Sequence, residues 1–498
     1  MITINQKPAY NLLPAGQEII YVIGEDTNLL TTQTHAKIVA EVAVANDISF
    51  SDTVFVGEFK AAPNAAGVCM FDFNQILENG VGTVYNGMFA SDPTAYSEYQ
   101  GLFYTQTQFY HSIHNIDNYA FGQENGKFVL INFYIEYLGA AGNTAIVERA
   151  NMQTQAPMLF IFNGVLYDTD LLNFVSQVDF GYDMSSYILQ NIGDVGVGGF
   201  ITNAPKTQNA TMNDYGTVAF FNGVKNSEFS FDVGYIPTPT VGYKHTIKEL
   251  QIILRDANDV QVGSTITMTN NQTNGGWSGL SGTGDDPTNS NVNTKILYAG
   301  VYPANLRAWS SDFVIQLGLG TIDYYTITAF DQDGVNIGET YRINLITDCL
   351  YPPIRICWIN KFGTWDYYTF MKKSTRNLKT KRKEYTKLKG TWNNALYNPN
   401  IPTGGKQNYL VQTNETIKVN TDYITEAEAV WLEELFNSQQ MFILNDYHFN
   451  TNVNNVNRFV EPVILTTSSY KIKTKLNDKL IQYSFEFKRN TDRRTQRP

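Results

Sequence analysis

Charge, cysteine and long apolar runs are all scarce in this chain of 498 residues. Charged residues make up only 17% of the chain while 43% is apolar, a balance that excludes both a disordered and a membrane-embedded protein. Three cysteines, Cys69, Cys349 and Cys357, cannot build a disulfide framework, and their odd number speaks against a secreted scaffold. No apolar run approaches the roughly 20 residues of a membrane helix, and residues 158–162 are typical of the longest. The opening MITINQKP has neither the basic nor the apolar region of a signal peptide. The expectation is assembly in a cytosol with no membrane insertion.

Catalytic signatures are missing too. There is no GxSxG, no HExxH and no P-loop, since the glycines of 275–284 lack the Lys-Ser/Thr pair and do not open a helix. Of five histidines only His111 and His114 are close, and no cysteine or carboxylate completes a ligand set there. Cys349 and Cys357 are too far apart for a CxxC site and read as small buried hydrophobes. Asp331-Gln332-Asp333-Gly334 touches the calcium-loop pattern but lacks its distal Glu, so it reads as a turn. Glu433-Glu434 read as the polar side of a short helix, and Asp285-Asp286 fall in a polar loop. Neither pair is marked as two carboxyls facing each other across a sugar groove. The expectation is a protein with no catalytic residues, metal or cofactor.

What the chain does have is aromatic residues, 31 Tyr and 30 Phe, with many Thr and Val, which suit pleated and half-buried surfaces. Strands are expected over 18–23, 36–44, 53–59, 67–73 and 127–138, with a helical turn from Asn74 and a break at 139–143. Residues 158–162 and 164–167 suggest a hairpin around Asn163-Gly164. Further strands are expected over 218–221, 228–234, 247–254, 261–269, 313–317, 324–330, 341–346 and 354–359. The clearest helix spans 425–437, with Thr425 and Glu428 as a capping box and Val430, Trp431, Leu435 and Phe436 as its apolar face. A closing hairpin alternates Tyr470, Ile472, Thr474 and Leu476 against Tyr483, Phe485 and Phe487.

The expected class is mainly β, with several β-sandwich or barrel-like domains and a small α+β domain at the C-terminal end. The boundaries read as 1–155, 156–350 with a long polar loop at 270–294, and 351–498. No period of 20 to 50 residues suggests a solenoid or propeller.

One local feature stands out. Lys372, Lys373, Arg376, Lys379, Lys381, Arg382, Lys383, Lys387 and Lys389 crowd into 372–389 against the single Glu384. The formal net charge is −11, and without this strip the chain has 27 basic and 46 acidic residues, a balance of −19. An acidic body with one basic strip is polarised. Phe370, Tyr385 and Trp392 lie in or beside the strip, so three readings stand: nucleic-acid contact, docking on acidic partners including copies of the same chain, and a solvated surface.

Residues 348–370 (DCLYPPIRICWINKFGTWDYYTF) resemble a pattern in virion structural proteins of phages that infect Bacteroidetes, including crAss-like phages. That pattern is a strand ending in Trp/Phe-Leu-Asn, a Gly-x-x-Asp-x-Tyr/Phe-x-Phe turn and strand, then basic residues. Trp358, Ile359, Asn360, Gly363, Asp366, Tyr368 and Phe370 occupy it here. Residues 71–78 (FDFNQILE), 133–137 (FYIEY) and the closing hairpin within 463–487 are similar to further segments of those proteins. These islands touch all three thirds of the chain and cover well under half of it. The resemblance implies a phage tail ring, adaptor or baseplate subunit in a cyclic oligomer, located in the virion and assembled in the host cytoplasm. Its implied partners are other tail proteins and copies of itself, with packaged DNA near the exit channel as a further candidate. It brings no catalytic residue to carry over. A carbohydrate-binding receptor-recognition tail protein is the alternative, with Trp277 as the sugar-stacking residue, and a polysaccharide depolymerase is third.

Overall fold

The computed structural model describes residues 1–46, 50, 53–82, 119–121, 125–141, 144–166, 182, 184–189, 198–222, 247–269, 295–331, 334–347, 350–393, 396–444, 460–471 and 481–490. Among the described residues strand outweighs helix by 52% to 12%, so the protein is mainly β, with several sheets and a few helices. The chain divides into two compact units: residues 1–347 with 359–366 and 447–454, and residues 348–358 with 367–446 and 455–498.

In the first unit, Ile20–Glu25 lies between Ile2–Gln6 and Cys69–Asp72 in a three-stranded sheet. A second sheet runs Leu12–Pro14, Leu159–Phe162, Gly126–Ala141, Lys37–Ala45, Val54–Ala61, with Thr144–Gln155 also paired to Gly126–Ala141. Period-two patterning explains how the two share a core. Ile38, Ala40 and Val42 alternate along one strand, and Val129, Ile131, Phe133 and Ile135 along its neighbour. All pack into the cluster that holds Ile2, Tyr21, Ile23, Cys69 and Phe71. Tyr21, Phe71, Phe73 and Phe133 form an aromatic knot with ring centroids 5.6–5.9 Å apart.

Two more sheets are formed by the described residues of this unit. One has five strands in the order Thr207–Thr211, Tyr341–Ile346, Tyr324–Phe330, Glu249–Arg255, Ile266–Thr269, its first pair parallel. The other places Ile296–Gly300 between Thr217–Phe221 and Tyr119–Phe121.

The second unit is built on seven strands in the order Trp365–Phe370, Ile354–Ile359, Met441–Leu444, Val460–Leu465, Ser484–Arg489, Gly405–Asn420, Thr375–Lys387. The Glu426–Asn437 helix begins at Thr425 with both halves of the capping box in place. It lays Trp431 against Trp358, ring centroids 5.2 Å apart, and against Tyr368 at 6.1 Å. Phe370, Phe485 and Phe487 pack edge-on beside them.

Five expectations are corrected. Residues 313–317 are not a strand but the middle of the Ser311–Gly318 helix, because the Ser310 hydroxyl accepts from the Phe313 N–H and caps a first turn. The hairpin at Asn163-Gly164 does not form. Leu159–Phe162 already pairs on one edge with Leu12–Pro14 and on the other with Gly126–Ala141, so no edge is left for a return strand. The break at 139–143 comes later, since the strand runs on to Ala141. On the C-terminal helix, Leu432 and Ala429 join Trp431 and Leu435 in the buried face, while Val430 is 52% exposed and Glu434 is turned inward. The final strand takes Val460–Leu465 and Gly405–Asn420 as partners. Tyr470 is not in a strand but stacks on Tyr483 at 4.5 Å, and residues 472–478 of the expected partner lie outside the described residues.

Candidate functional site

Two of the features singled out in the sequence take definite shape. The first is the turn at 360–364, in the segment that resembles phage virion proteins. Asn360 Oδ1 accepts from the backbone N–H groups of Phe362 and Thr364, and Asn360 Nδ2 donates to the Ile201 carbonyl. The Thr364 hydroxyl donates to the same carbonyl at 2.7 Å, and the Thr202 hydroxyl donates to Asp366 at 2.6 Å. Gly363 has φ +72°, and a Cβ placed on it would lie 1.8 Å from the Asn163 carbonyl oxygen. The Asn, Gly, Thr and Asp of this segment therefore answer to backbone geometry and buried polar pairing, within the first unit, and present no reactive group.

The second is the basic strip. Lys372 and Lys373 precede it, Lys372 paired to Asp422 at 3.0 Å. Arg376, Lys379, Lys381, Arg382, Lys383 and Lys387 all fall on the edge strand Thr375–Lys387, and Lys389 follows. The strand runs antiparallel to Gly405–Asn420 from Thr375↔Lys418 to Lys387↔Gly405. On its other side Gly405–Asn420 pairs with Ser484–Arg489 only over Thr416–Asn420. Beyond Thr416 the two strands therefore continue as a two-stranded ribbon, about ten residue pairs and about 30 Å long at the usual strand rise. Thr375–Lys387 is exposed along almost its whole length. The ribbon is tipped by a small hairpin, Gly390–Asn393 with Leu396–Pro399. Gly404 closes this end, where a Cβ would come within 2.3 Å of both the Leu388 carbonyl oxygen and Lys389 Cα.

Alternation puts Lys379, Lys381, Lys383, Tyr385 and Lys387 on one face of the strand, successive members about 6.7 Å apart. A bulge at Lys383/Glu384 leaves Tyr409 as the extra residue of the partner strand, its ring 6.2 Å from that of Tyr385. Over residues 377–414 the arm carries Lys379, Lys381, Arg382, Lys383, Lys387, Lys389 and Lys406 against Glu384 alone. Among the described residues none of these seven cations has a carboxylate within ion-pair distance. The tip adds exposed Leu388, Leu396, Tyr397 and Ile401, the last 76% exposed.

The base of the arm is stiffened by buried charge. Glu415, whose side chain is wholly buried, accepts from Arg376 Nε at 2.6 Å and faces Arg489 at 3.6 Å. Arg489 is paired in turn with Glu461 at 2.7 Å. A cation on each ribbon-side strand thus shares one buried carboxylate where the ribbon leaves the sheet.

No family model matches the sequence, and no curated protein matches it. The arm's own geometry therefore carries the functional assignment.

Among the described residues the remaining candidates present no reactive group. Burial pushes the Cys357 and Cys69 thiols up, away from the reactive thiolate. The Asp331 carboxylate accepts from the Val335 N–H, and Gln332 and Asp333 lie outside the described residues. Among the described residues no group of three His, Cys, Asp or Glu converges as a metal ligand set, and no helix is long and apolar enough to cross a membrane. His111, His114, Cys349, Asp285, Asp286 and Trp277 lie outside the described residues.

The partner strand of the arm, Gly405–Asn420, escaped the sequence reading. Its only signal was the β-branched stretch TIKVN at 416–420, where it re-enters the sheet and buries Ile417 and Val419.

Proposed function

We propose that this chain is a non-catalytic structural subunit of a phage tail, a ring, adaptor or baseplate component that joins its neighbours through the basic ribbon arm. The observation that carries the reading is the arm itself. A two-stranded ribbon with both faces wet buries too little apolar area to stabilise itself as an isolated element. Held out from a braced base, with seven cations that no carboxylate among the described residues pairs and a tip exposing Leu388, Leu396, Tyr397 and Ile401, it gains most when a partner covers it. A partner with an acidic surface supplies the charge, and an apolar patch on it supplies the seat for Leu388, Leu396 and Ile401. The resemblance of residues 348–370 to phage virion proteins supports the same reading and supplies the tail.

Quantitative mass spectrometry of purified phage particles that encode this chain tests the assignment. The expected result is the intact chain in several copies per particle, in a fixed ratio to the other tail proteins. Its absence from particles, with the chain recovered only in the lysate, contradicts the assignment.

A further inference from the structure

We infer that the partner covering the arm is a second copy of this chain, and that the tip of the arm seats on the outer face of that copy's Ser311–Gly318 helix. The inference deepens the structural-subunit reading and rests on it.

The inner side of this helix is that of an ordinary surface helix, and the outer side is not. Phe313 is fully buried, its ring 6.1 Å from that of Tyr325. The outer side of a surface helix normally carries polar residues. Here it carries Val314, Ile315 and Leu319, which are 47%, 58% and 67% exposed. With Gly318 they occupy positions i, i+1, i+4 and i+5, one stripe opposite Phe313, and Leu319 keeps helical backbone as the C-cap. The segment beside the helix adds Val260, 58% exposed. It is tied on by the Ser264 N–H, which donates to Asp312 at 2.8 Å, and by the Asp323 N–H, which donates to the Arg255 carbonyl at 2.9 Å. Single exposed apolar residues are ordinary, whereas a contiguous set marks a docking surface.

Charge selects the occupant. Residues 256–269 and 311–323 hold Asp256, Asp259, Asp312 and Asp323 with no Lys or Arg. Asp259 is paired with Arg255. Asp256 and Asp312 accept from backbone N–H groups, and neither they nor Asp323 have a cation within ion-pair distance among the described residues. The tip of the arm is the complement: Leu388, Leu396, Tyr397 and Ile401 are exposed, flanked by Lys387, Lys389 and Lys406. Apolar side chains meet an apolar stripe, and three cations meet three carboxylates. Three of the four exposed side chains at the tip are aliphatic, whereas base stacking calls for aromatic platforms. The chain beyond the strip also carries a balance of −19, which attracts a basic arm and repels phosphate. Tip and helix face are different surfaces, so the contact is heterologous, and repetition closes a ring or extends a filament.

Photo-crosslinking of the full chain tests the seat. Copies with a benzophenone side chain in place of Leu396 are mixed with isotope-labelled copies and irradiated, and the joined peptides are read by mass spectrometry. The expected products join the tip to residues 311–323 or 256–264 of a copy with the other label. Products formed only within one copy overturn a second copy as the occupant, and products confined to any other segment overturn the helix face as the seat. Light scattering at low and high salt supplies the energetic test. The wild type is expected to form an oligomer that weakens as salt rises. I315S/L319S is expected to need at least about tenfold more protein to assemble, with a melting temperature near that of the wild type, because both residues are more than half exposed. A wild type that stays monomeric at every salt and concentration overturns self-docking, as does an I315S/L319S variant that assembles like the wild type. A wild type that binds duplex DNA through the arm, and loses its oligomer in doing so, overturns protein as the occupant. All of these outcomes are independent of whether the chain is found in particles, so failure of self-docking is distinguishable from failure of the structural-subunit reading.

Discussion

Gly363→Ala is expected to destabilise the first unit by about 3 kcal/mol, whereas Gly320→Ala costs only about 1 kcal/mol. The two glycines have nearly the same backbone, φ +72° and +66°, so the intrinsic penalty of a left-handed alanine is shared. They differ in surroundings. A Cβ on Gly320 meets nothing within 4 Å, while one on Gly363 would lie 1.8 Å from the Asn163 carbonyl oxygen and 2.8 Å from its carbon. No flexible side chain can yield there, because the obstacle is backbone. Relief requires moving the turn, which strains the paired bonds of Asn360 and Thr364 to the Ile201 carbonyl. Thermal unfolding of both variants against the wild type measures the difference, and equal losses would contradict a steric origin.

Glu415→Ala comes next, at about 3 kcal/mol, a typical cost of removing one partner from a buried ion pair. The carboxylate is completely buried between Arg376 and Arg489, and its loss leaves Arg489, only 22% exposed, beside an empty site. Glu461→Ala removes the other partner of Arg489 but should cost only about 1 kcal/mol, because that carboxylate is partly solvated. Denaturant titration of the two variants distinguishes them. Hydrogen exchange adds a local readout, since amides of 375–380 and 413–418 should exchange faster in Glu415→Ala. Similar losses at Glu415 and Glu461 would mean that the base of the arm is not braced as described.

The difference between what was legible in the sequence and what was not follows from burial. The strands of the first unit and the Glu426–Asn437 helix alternate or repeat their apolar residues because one face is dry, and that pattern can be read directly. The ribbon has two wet faces, so its strands show no period, and only the charge of the first strand drew notice. Residues 313–317 present the opposite difficulty. A five-residue segment with four apolar residues, FVIQL, fits a strand or a helix equally well, and the deciding group was the Ser310 hydroxyl three residues before Phe313. The hairpin at Asn163-Gly164 failed for a non-local reason, since both edges of Leu159–Phe162 were taken by strands distant in sequence. Val430 was assigned inward because its neighbours are apolar, yet one residue on a helix is about 100° of rotation, enough to carry it out to solvent.

The segment that resembles phage virion proteins and the basic strip also had different fates. Asn360, Gly363, Thr364 and Asp366 are explained in full by a tight turn and its buried hydrogen bonds. The lysines from Lys379 to Lys389 have no carboxylate partner among the described residues, which is what directs attention to a partner.

The most direct test of the arm as the assembly element is to shorten it and ask whether the chain still enters particles. Replacing residues 381–412 with Asn-Gly joins Thr380 to Thr413, whose hydroxyls already lie 3.0 Å apart across the ribbon, through a favourable hairpin turn. The Glu415 network and the pairing of Thr416–Asn420 with Ser484–Arg489 are untouched, so the shortened chain should fold with a melting temperature near that of the wild type. Supplied in place of the wild type during phage growth, it should be missing from purified particles when its copy number is measured by mass spectrometry. Incorporation of the shortened chain at the wild-type copy number would contradict the account.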